Sequence, residues 1–380
     1  MAKALINPEI LVWARERAGL TVPQIAKKLS ITPEQYLRWE AAEAKPTFNQ
    51  AQNFAHKTYI PFGYLYLDAA PEEPVLLPDL RTIGDHPVKQ YSLELRDTIN
   101  MALERQAWFR EYSQLNGHEP LKWPASQSID DFNKALSTLQ ALLNDDQPRP
   151  KNFEDYYTQL RQKIENLGVL VMRNSLVGNN SHRKLDRNEF RGFAISDDYA
   201  PLLFINTADS PQAQIFTLLH EFAHLLVGES GVSDVAPNSS HQLEQFCNKL
   251  AAEFLVPSNE FTRLWQPELD DWKQNLSELA QHFHVSQWVI ARRALEHEFI
   301  SSQQYWEHYQ KVLDHFKKEK DASTGGPSFN RLVKMRYSKN LTTAVASEAL
   351  SGRLLLRDAA RLIGVRPENI KRFAKTELGF

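Results

Sequence analysis

Apolar positions along this chain follow two different rules. Most fall at the three-to-four spacing of a helix that buries one side, and a few short runs have no helical period at all. The most regular stripe is Ile215, Leu218, Leu219, Phe222, Leu225 and Leu226, which steps i, i+3, i+4, i+7, i+10, i+11. It predicts one helix whose apolar side faces a core. Its ends are marked as well: Asp209 or Ser210 can cap the first turn, Pro211 is acceptable at the first helical position, and Gly228 can stop it. Similar stripes predict helices over residues 8–18, 22–29, 33–42 (with Tyr36 and Leu37 along it), 92–115, 128–143 and 153–167. Another begins near Ser239 or Ser240, with Leu243, Phe246, Cys247, Leu250 and Phe254 as its stripe. Val169–Met172, Leu176–Val177, Phe190–Ile195 and Pro201–Ile205 are instead short apolar runs and read as strands. The fold class expected is mainly α, of the α+β kind, with a small β-sheet.

Proline-rich connectors at 69–78 and 145–150 and a link at 321–327 divide the chain. The expected domains are a small helical one over 1–70, a helical scaffold over 71–150, a unit over 151–265 that joins the strands to the helix above, and a helical C-terminal region over 266–380. Within the last, 277–295 has helix-turn-helix spacing, 301–320 reads as a charged helix, and 328–380 reads as a compact bundle around Leu354, Ala359, Ala360, Leu362, Ile363 and Val365. Composition adds little to that division. With 42% hydrophobic and 24% charged residues the chain is ordinary for a globular protein, and its net charge of −3 gives no global signal for nucleic acid. The single cysteine, Cys247, excludes a disulfide framework. No membrane span and no signal-peptide core are expected, so the location expected is cytoplasmic.

The chemistry sits on the most regular helix, in His220-Glu221-Phe222-Ala223-His224. This is the H-E-x-x-H form of a zinc-hydrolase helix. Residues four apart lie about 40° from each other in projection and about 6 Å along the axis, so both imidazoles can reach one ion while Glu221 flanks it. A third ligand is needed, and the next helix offers Glu244 and Glu253. Glu244 lies in the row beside the apolar stripe, where an unpaired carboxylate is costly unless it meets a cation or a donor. Asn248, one turn on, is placed to hydrogen-bond a ligating imidazole. Glu253 lies about 180° away in projection and is expected to face solvent. Glu244 is therefore the expected ligand. Arg191, His182, Tyr199 and His241 are candidates for a further oxyanion donor only by their nearness in sequence.

Two resemblances follow. Leu20-Thr21, Ile25-Ala26, Leu29, Ile31, Trp39-Glu40 and Lys45-Pro46-Thr47 resemble the Xre-type helix-turn-helix domain, with Ala42 standing where that pattern has glycine. In such a domain Gln24, Lys27, Lys28, Gln35 and Arg38 would meet DNA, although eight Lys and Arg against five Asp and Glu over residues 1–60 give only a thin basic footprint. His220-Glu221-x-x-His224 followed by Glu244-x-x-Cys247-Asn248-x-Leu250-Ala251-Ala252-Glu253-Phe254-Leu255-Val256-Pro257 resembles the ImmA/IrrE family of metallo-endopeptidases. That family typically shows alanine where Cys247 stands, and a thiol there suggests a site sensitive to oxidation.

The resemblance implies an N-terminal helix-turn-helix domain, a zincin-like metallopeptidase domain and a helical C-terminal region. It implies Zn2+ held by His220, His224 and Glu244, with Glu221 as general base. It also implies a specific regulatory protein as substrate, either repressor-like or a toxin or antitoxin from a neighbouring gene, and a homodimer is a further expectation. In thermolysin-like zincins one edge strand pairs with the extended substrate, a part expected here of 190–196 or 202–206. A reading from another class is a DNA-binding repressor or antitoxin-like protein whose zincin-like body serves as a protein-binding or sensor module.

Overall fold

The computed structural model describes residues 3–71, 91–143, 150–232, 242–268, 271–308, 310 and 329–379. Two compact units divide the chain: Met1–Leu76 with Gly84–Ile99, and Leu77–Ile83 with Asn100–Phe380.

In the first unit α1 (Pro8–Arg17), α2 (Val22–Leu29), α3 (Pro33–Glu40) and α4 (Phe48–Thr58) precede a short 3-10 turn, Phe62–Tyr66. Each helix starts on a side chain that satisfies its free amides. Asn7 accepts from the Glu9 amide, Thr32 accepts from that of Gln35, and Thr21 with Gln24 and Thr47 with Gln50 form reciprocal capping boxes. Ile10, Leu11, Ala14, Ile25, Ala26, Leu29, Tyr36, Trp39 and Phe54 are buried together. Leu37 is 48% exposed, and Trp39 takes the inward position on α3. Arg15 joins α1 to α3 through Glu40 at 2.8 Å. α3 stops at Glu40, two residues earlier than its stripe suggests, because Ala42 turns left-handed at φ +61°.

The second unit is built on a four-stranded sheet in the order β1-β3-β2-β4. β1 (Leu170–Asn174) runs parallel to β3 (Leu202–Asn206), with Leu170 opposite Leu202 and Asn174 opposite Asn206. β2 (Gly192–Ile195) is antiparallel to β3, with Gly192 opposite Ile205, and β4 (Gly231–Val232) is antiparallel to β2. Every residue of β2 and β3 is buried. Both faces of these strands are therefore covered, and for that reason the runs lack the alternation of a half-exposed strand. The expected strand at Leu176–Val177 is only an isolated bridge, Leu176 to Lys184.

Helix α5 (Leu93–Leu115) is followed by α6 (Phe132–Leu142), α7 (Phe153–Asn166), α8 (Pro211–Val227) and α9 (Gln242–Leu255), and α6 to α9 contribute to the core around the sheet. The division between the two units falls within α5. α8 packs on α7, α9, β2 and β3. After α10 (Ser258–Leu264), α11 (Lys273–Phe283) and α12 (Gln287–Glu296), the C-terminal region includes α13 (Phe329–Arg336), α14 (Lys339–Leu350), α15 (Leu356–Ile363) and α16 (Ile370–Phe373). Two arginines, Arg105 buried and Arg161 half-buried, fasten this end to the body. Arg161 donates to the carbonyls of Met335 at 2.9 Å and Tyr337 at 2.6 Å and pairs with Glu165 at 3.2 Å. Arg105 donates to the Leu362 carbonyl at 2.7 Å. Burial pushes the Glu165 carboxyl above its ordinary range, and Arg161 works against that shift.

The link expected at 321–327, most of the connectors and the start of α9 near Ser239 lie outside the described residues, as does most of the charged helix expected over 301–320. No helix among the described residues is long and apolar enough to cross a membrane.

Ala42 generates a stability prediction. A left-handed residue with a Cβ costs roughly 1–2 kcal/mol, and glycine there adds roughly 0.4–1 kcal/mol of unfolded-chain entropy to be lost. Ala42→Gly is expected to stabilise the first unit by roughly 0.5–1 kcal/mol, read as a higher urea midpoint at unchanged slope. A lower midpoint would contradict the strained turn.

Candidate metal centre

α8 forms where the stripe, the cap and the stop agree. The Ser210 hydroxyl accepts from the Ala213 amide at 3.2 Å, Pro211 opens the first turn, and Gly228 ends the helix at φ +82°. Its last carbonyls are not left bare. Glu229 N donates to His224 O at 3.0 Å, Ala125 N to Leu225 O at 3.0 Å, and Gln127 N to Leu226 O at 3.0 Å. The 125–127 strap is close enough that a Cβ on Gly228 would stand 2.5 Å from that of Ala125. On the apolar side Trp123 stacks on Phe222 with ring centres 5.0 Å apart and donates to the Leu167 carbonyl at 3.1 Å. Every residue from Thr217 to Leu226 is buried. The helix can neither slide nor roll without breaking one of these contacts.

That rigidity aims two imidazoles at one point. The Nε2 atoms of His220 and His224 lie 3.1 Å apart. Glu244, in the first turn of α9, brings Oε2 to 3.2 Å from His220 Nε2 and Oε1 to 3.3 Å from His224 Nε2. These three residues form the one His/Cys/Asp/Glu group among the described residues whose donor atoms lie close enough to share a metal ion. The fit can be tested by geometry. With bonds of about 2.0–2.1 Å to nitrogen and oxygen, a tetrahedral zinc ion sets its ligands about 3.3 Å apart. The observed spacings match that edge, and two imidazoles with one carboxylate are a donor set zinc takes. Burial opposes the charge on Glu244, but the hydrogen bonds and charge of His220 and His224 outweigh it and hold its carboxyl well below the usual carboxylate range.

Glu221 is fully buried beside this triangle, and the strand next to it explains how it fits. A Cβ on Gly192 would stand 2.6 Å from Glu221 Oε1, 2.8 Å from Thr217 Cγ2 and 2.9 Å from the Phe204 carbonyl oxygen. The β2 backbone therefore runs directly against the carboxylate, and only glycine leaves the space. Spacing arguments on α8 could not find this residue. Its signal in the sequence was a glycine inside an otherwise apolar strand run, the mark of a close backbone approach.

Several expectations about neighbouring residues need correction. Asn248 makes no hydrogen bond to either imidazole, and the Nδ1 atoms of both histidines have no hydrogen-bond partner among the described residues. Glu253 does point away from the three donors, but not into solvent. It pairs with the buried Arg293 at 2.5 Å and accepts from the Ser258 amide at 2.9 Å and hydroxyl at 2.7 Å, a joint between α9, α10 and α12. A buried arginine on α12 captures it, which periodicity within α9 could not reveal. Cys247 is buried, and burial, with the charges of Glu244 and Glu221, pushes its thiol well above the ordinary value. Burial also shields the thiol from dissolved oxidants, which counts against an oxidation-sensitive site.

The strand over 202–206 is not an edge, since β3 is paired on both sides, and β4 covers β2 at Phe193 and Ala194. Arg191 lies 3.6 Å from Asp209 and over the Trp288 ring, and His182 is exposed. Tyr199 is half-buried, and its backbone amide donates to Asp197. No hydrogen bond or ion pair joins these three to the metal triangle among the described residues, and His241 lies outside them.

In the first unit Gln24, Lys27, Lys28, Gln35 and Arg38 are all exposed. Gln24 is partly committed, because its side-chain oxygen accepts from the Thr21 amide at 2.8 Å to cap α2. Arg38 lies 3.8 Å from Glu43, with both side chains exposed.

Comparison with known families places a name on part of the chain. Residues 164–295 match the Peptidase_M78 family, described as an IrrE N-terminal-like domain. The match runs from the end of α7 to the end of α12 and contains all four site residues. Residues 337–376 match a domain of unknown function (DUF8813). No curated protein matches the chain.

The geometry predicts one metal ion per chain, and zinc is the ion to test. Adding zinc to chelator-treated protein is expected to raise its stability by about 4 kcal/mol at a thousandfold excess over the dissociation constant, measured by thermal melting and isothermal titration. Glu244→Ala should abolish that gain, whereas Glu253→Ala should lower stability yet keep the metal. The reverse pattern would reassign the third ligand.

Proposed function

We propose that this chain is a zinc-dependent endopeptidase that hydrolyses a peptide bond in a regulatory protein. The observation that carries the proposal is the convergence of His220, His224 and Glu244 at tetrahedral spacing beside a buried carboxylate, Glu221. The match of residues 164–295 to a peptidase family supports a metallopeptidase independently of that geometry. A protein that only bound a partner would have no physical reason to bury Glu221 next to two imidazoles, because an enclosed carboxylate costs stability.

When bound, a zinc ion supplies a Lewis acid that acidifies water and polarises a carbonyl. The chain's own residues do the rest. His220, His224 and Glu244 would hold the ion, and the packing of α8 against β2 fixes Glu221 relative to them. Glu221 accepts a proton from water as the water oxygen attacks the scissile carbonyl carbon. It then delivers that proton to the amide nitrogen as the C–N bond breaks, so one group serves as base and then as acid. Burial suits this task, since an enclosed carboxylate keeps no hydration shell to be stripped at the moment of transfer. Gly192 is a positioning residue here, because its missing Cβ is the space in which Glu221 sits.

The substrate follows from the resemblance: a repressor-like protein or a toxin or antitoxin, met in the cytoplasm. The first unit would bring the peptidase to it by binding DNA or the repressor itself. Lys27, Lys28, Gln35 and Arg38 support that role by being exposed on α2 and α3, and Gln24 supports it only if its cap is released. A homodimer is compatible with this arrangement.

Replacing Glu221 by Gln should leave zinc stoichiometry unchanged and lower kcat by roughly 10²–10⁴-fold, the usual worth of a positioned general base. Full cellular effect retained by that variant would favour the repressor or antitoxin reading instead. Gly192→Ala should also keep the metal and lose kcat with little change in KM, since the added Cβ displaces Glu221 and touches no ligand. An unchanged kcat would show that Glu221 does not need that space.

A further inference from the structure

We propose that the C-terminal helices carry a surface for duplex DNA, presented by the helical run that begins at Pro367. Residues 337–376 hold eight Lys and Arg against three Asp and Glu, a local net charge of +5 in a chain whose total is −3. The average therefore hides a basic end.

The layout of this end is two helices joined by a tight turn. α15 stops at Gly364, which is left-handed at φ +68° and whose carbonyl accepts from Asn179 Nδ2 at 3.0 Å. A Cβ there would stand 2.9 Å from that amide nitrogen and 3.1 Å from the Tyr337 hydroxyl, so the turn presses on the body where only glycine fits. Val365 is buried and pins the turn. The chain then re-enters helix through Pro367–Asn369, α16 and a wide last turn, Ala374–Leu378. Ile370, Phe373 and Ala374 are buried, whereas Arg366, Pro367, Glu368, Lys371, Arg372, Lys375 and Thr376 are exposed. One side is locked into the bundle and the other offers four cations.

Among the described residues those cations enter no ion pair. The ion pairs of this region are Lys334 with Glu377, Arg353 with Glu348, Arg357 with Asp358 and Arg361 with Glu104. None takes the side chain of Arg366, Lys371, Arg372 or Lys375 among the described residues. Lys371 and Lys375 are four apart on one helical side, where like charges oppose the helix that carries them. A polyanion relieves that repulsion.

The shape and composition of the surface select among polyanions. A second short helix held at a tight turn, with long cations outward, suits the phosphates and major groove of a duplex. A membrane-surface helix would show large apolar side chains on its outer side, and a single-stranded nucleic acid would need exposed aromatic rings for stacking. The exposed residues of 366–376 include neither kind. This surface is independent of the peptidase site, and it is distinct from the α2–α3 candidates of the first unit.

The test is a fluorescence-anisotropy titration of a labelled mixed-sequence duplex with the full chain, from about 50 mM to about 200 mM salt. Arg366→Ala, Lys371→Ala, Arg372→Ala and Lys375→Ala are combined and compared in two backgrounds, the native chain and one carrying Lys27→Ala, Lys28→Ala and Arg38→Ala. Thermal melting checks that the exposed replacements leave the fold intact. The expected result in both backgrounds is an affinity loss of about tenfold or more and a salt slope reduced by about 3–4, from roughly 0.9 per phosphate contact. The proposal is overturned if the slope and affinity are unchanged, if the full chain binds no duplex, or if the loss appears only on single-stranded RNA or anionic vesicles.

Discussion

The contact between α8 and the β2 backbone sets the terms for everything else in the second unit. α8 is enclosed from Thr217 to Leu226, so the imidazoles of His220 and His224 and the carboxylate of Glu221 enter the core along with the leucines. Enclosing three such groups is costly unless each is answered by a partner. Glu244 answers the two histidines from α9, and Gly192 lets β2 close over Glu221 without a clash. The apolar stripe and the polar triad are thus one design problem. The stripe supplies the burial energy that holds the triad in place, and the triad stays affordable only while its members face each other or a cation.

How much of this was legible in the sequence depended on the range of the interaction. Ser210, Pro211 and Gly228 act within one turn of themselves, and they bound α8 where the local pattern put them. Glu244 could be read because its row on α9 is a local property and because a lone carboxylate beside core needs an explanation. Glu253 failed because what it meets is decided by another element: Arg293, forty positions along the chain, cannot be inferred from spacing on α9. The strands were visible as apolar runs, but their order was not, so 202–206 looked like an available edge when it lies between two neighbours. Ala42 shows the opposite case: the departure from glycine was plain in the sequence, and its left-handed backbone gives that departure a physical cost.

Net charge was the least informative quantity. A total of −3 argues against a polyanion partner only if the charges are mixed evenly, and in this chain they are not. In α3 Arg38 lies beside Glu43, whereas none of the ion pairs among the described residues takes Arg366, Lys371, Arg372 or Lys375. Arginines that face inward behave differently again. Arg105 and Arg161 spend their donors on backbone carbonyls of the C-terminal helices, so they contribute to docking rather than to any outward field. Counting arginines alone would merge these three roles.

α9 carries the last constraint. It bears two carboxylates on opposite sides, and each is answered by cationic or donating groups from a different element. Glu244 stands in the first turn, where a helix end is least restrained by its own hydrogen bonds. Its position must therefore be set from farther along the helix. Phe246, Leu250 and Leu255 are buried against the core, Ala251 and Ala252 are buried with little bulk to hold the helix off its neighbours, and Glu253 is clamped by Arg293 and Ser258. The buried apolar residues fix the roll of α9 and so bring Glu244 to the two imidazoles, and the clamp adds stability at the far end of the helix. Residues that touch no ligand thus govern the third donor. The helices after α9, α10 and α12 in particular, are part of the metal centre's frame rather than an appendix to it.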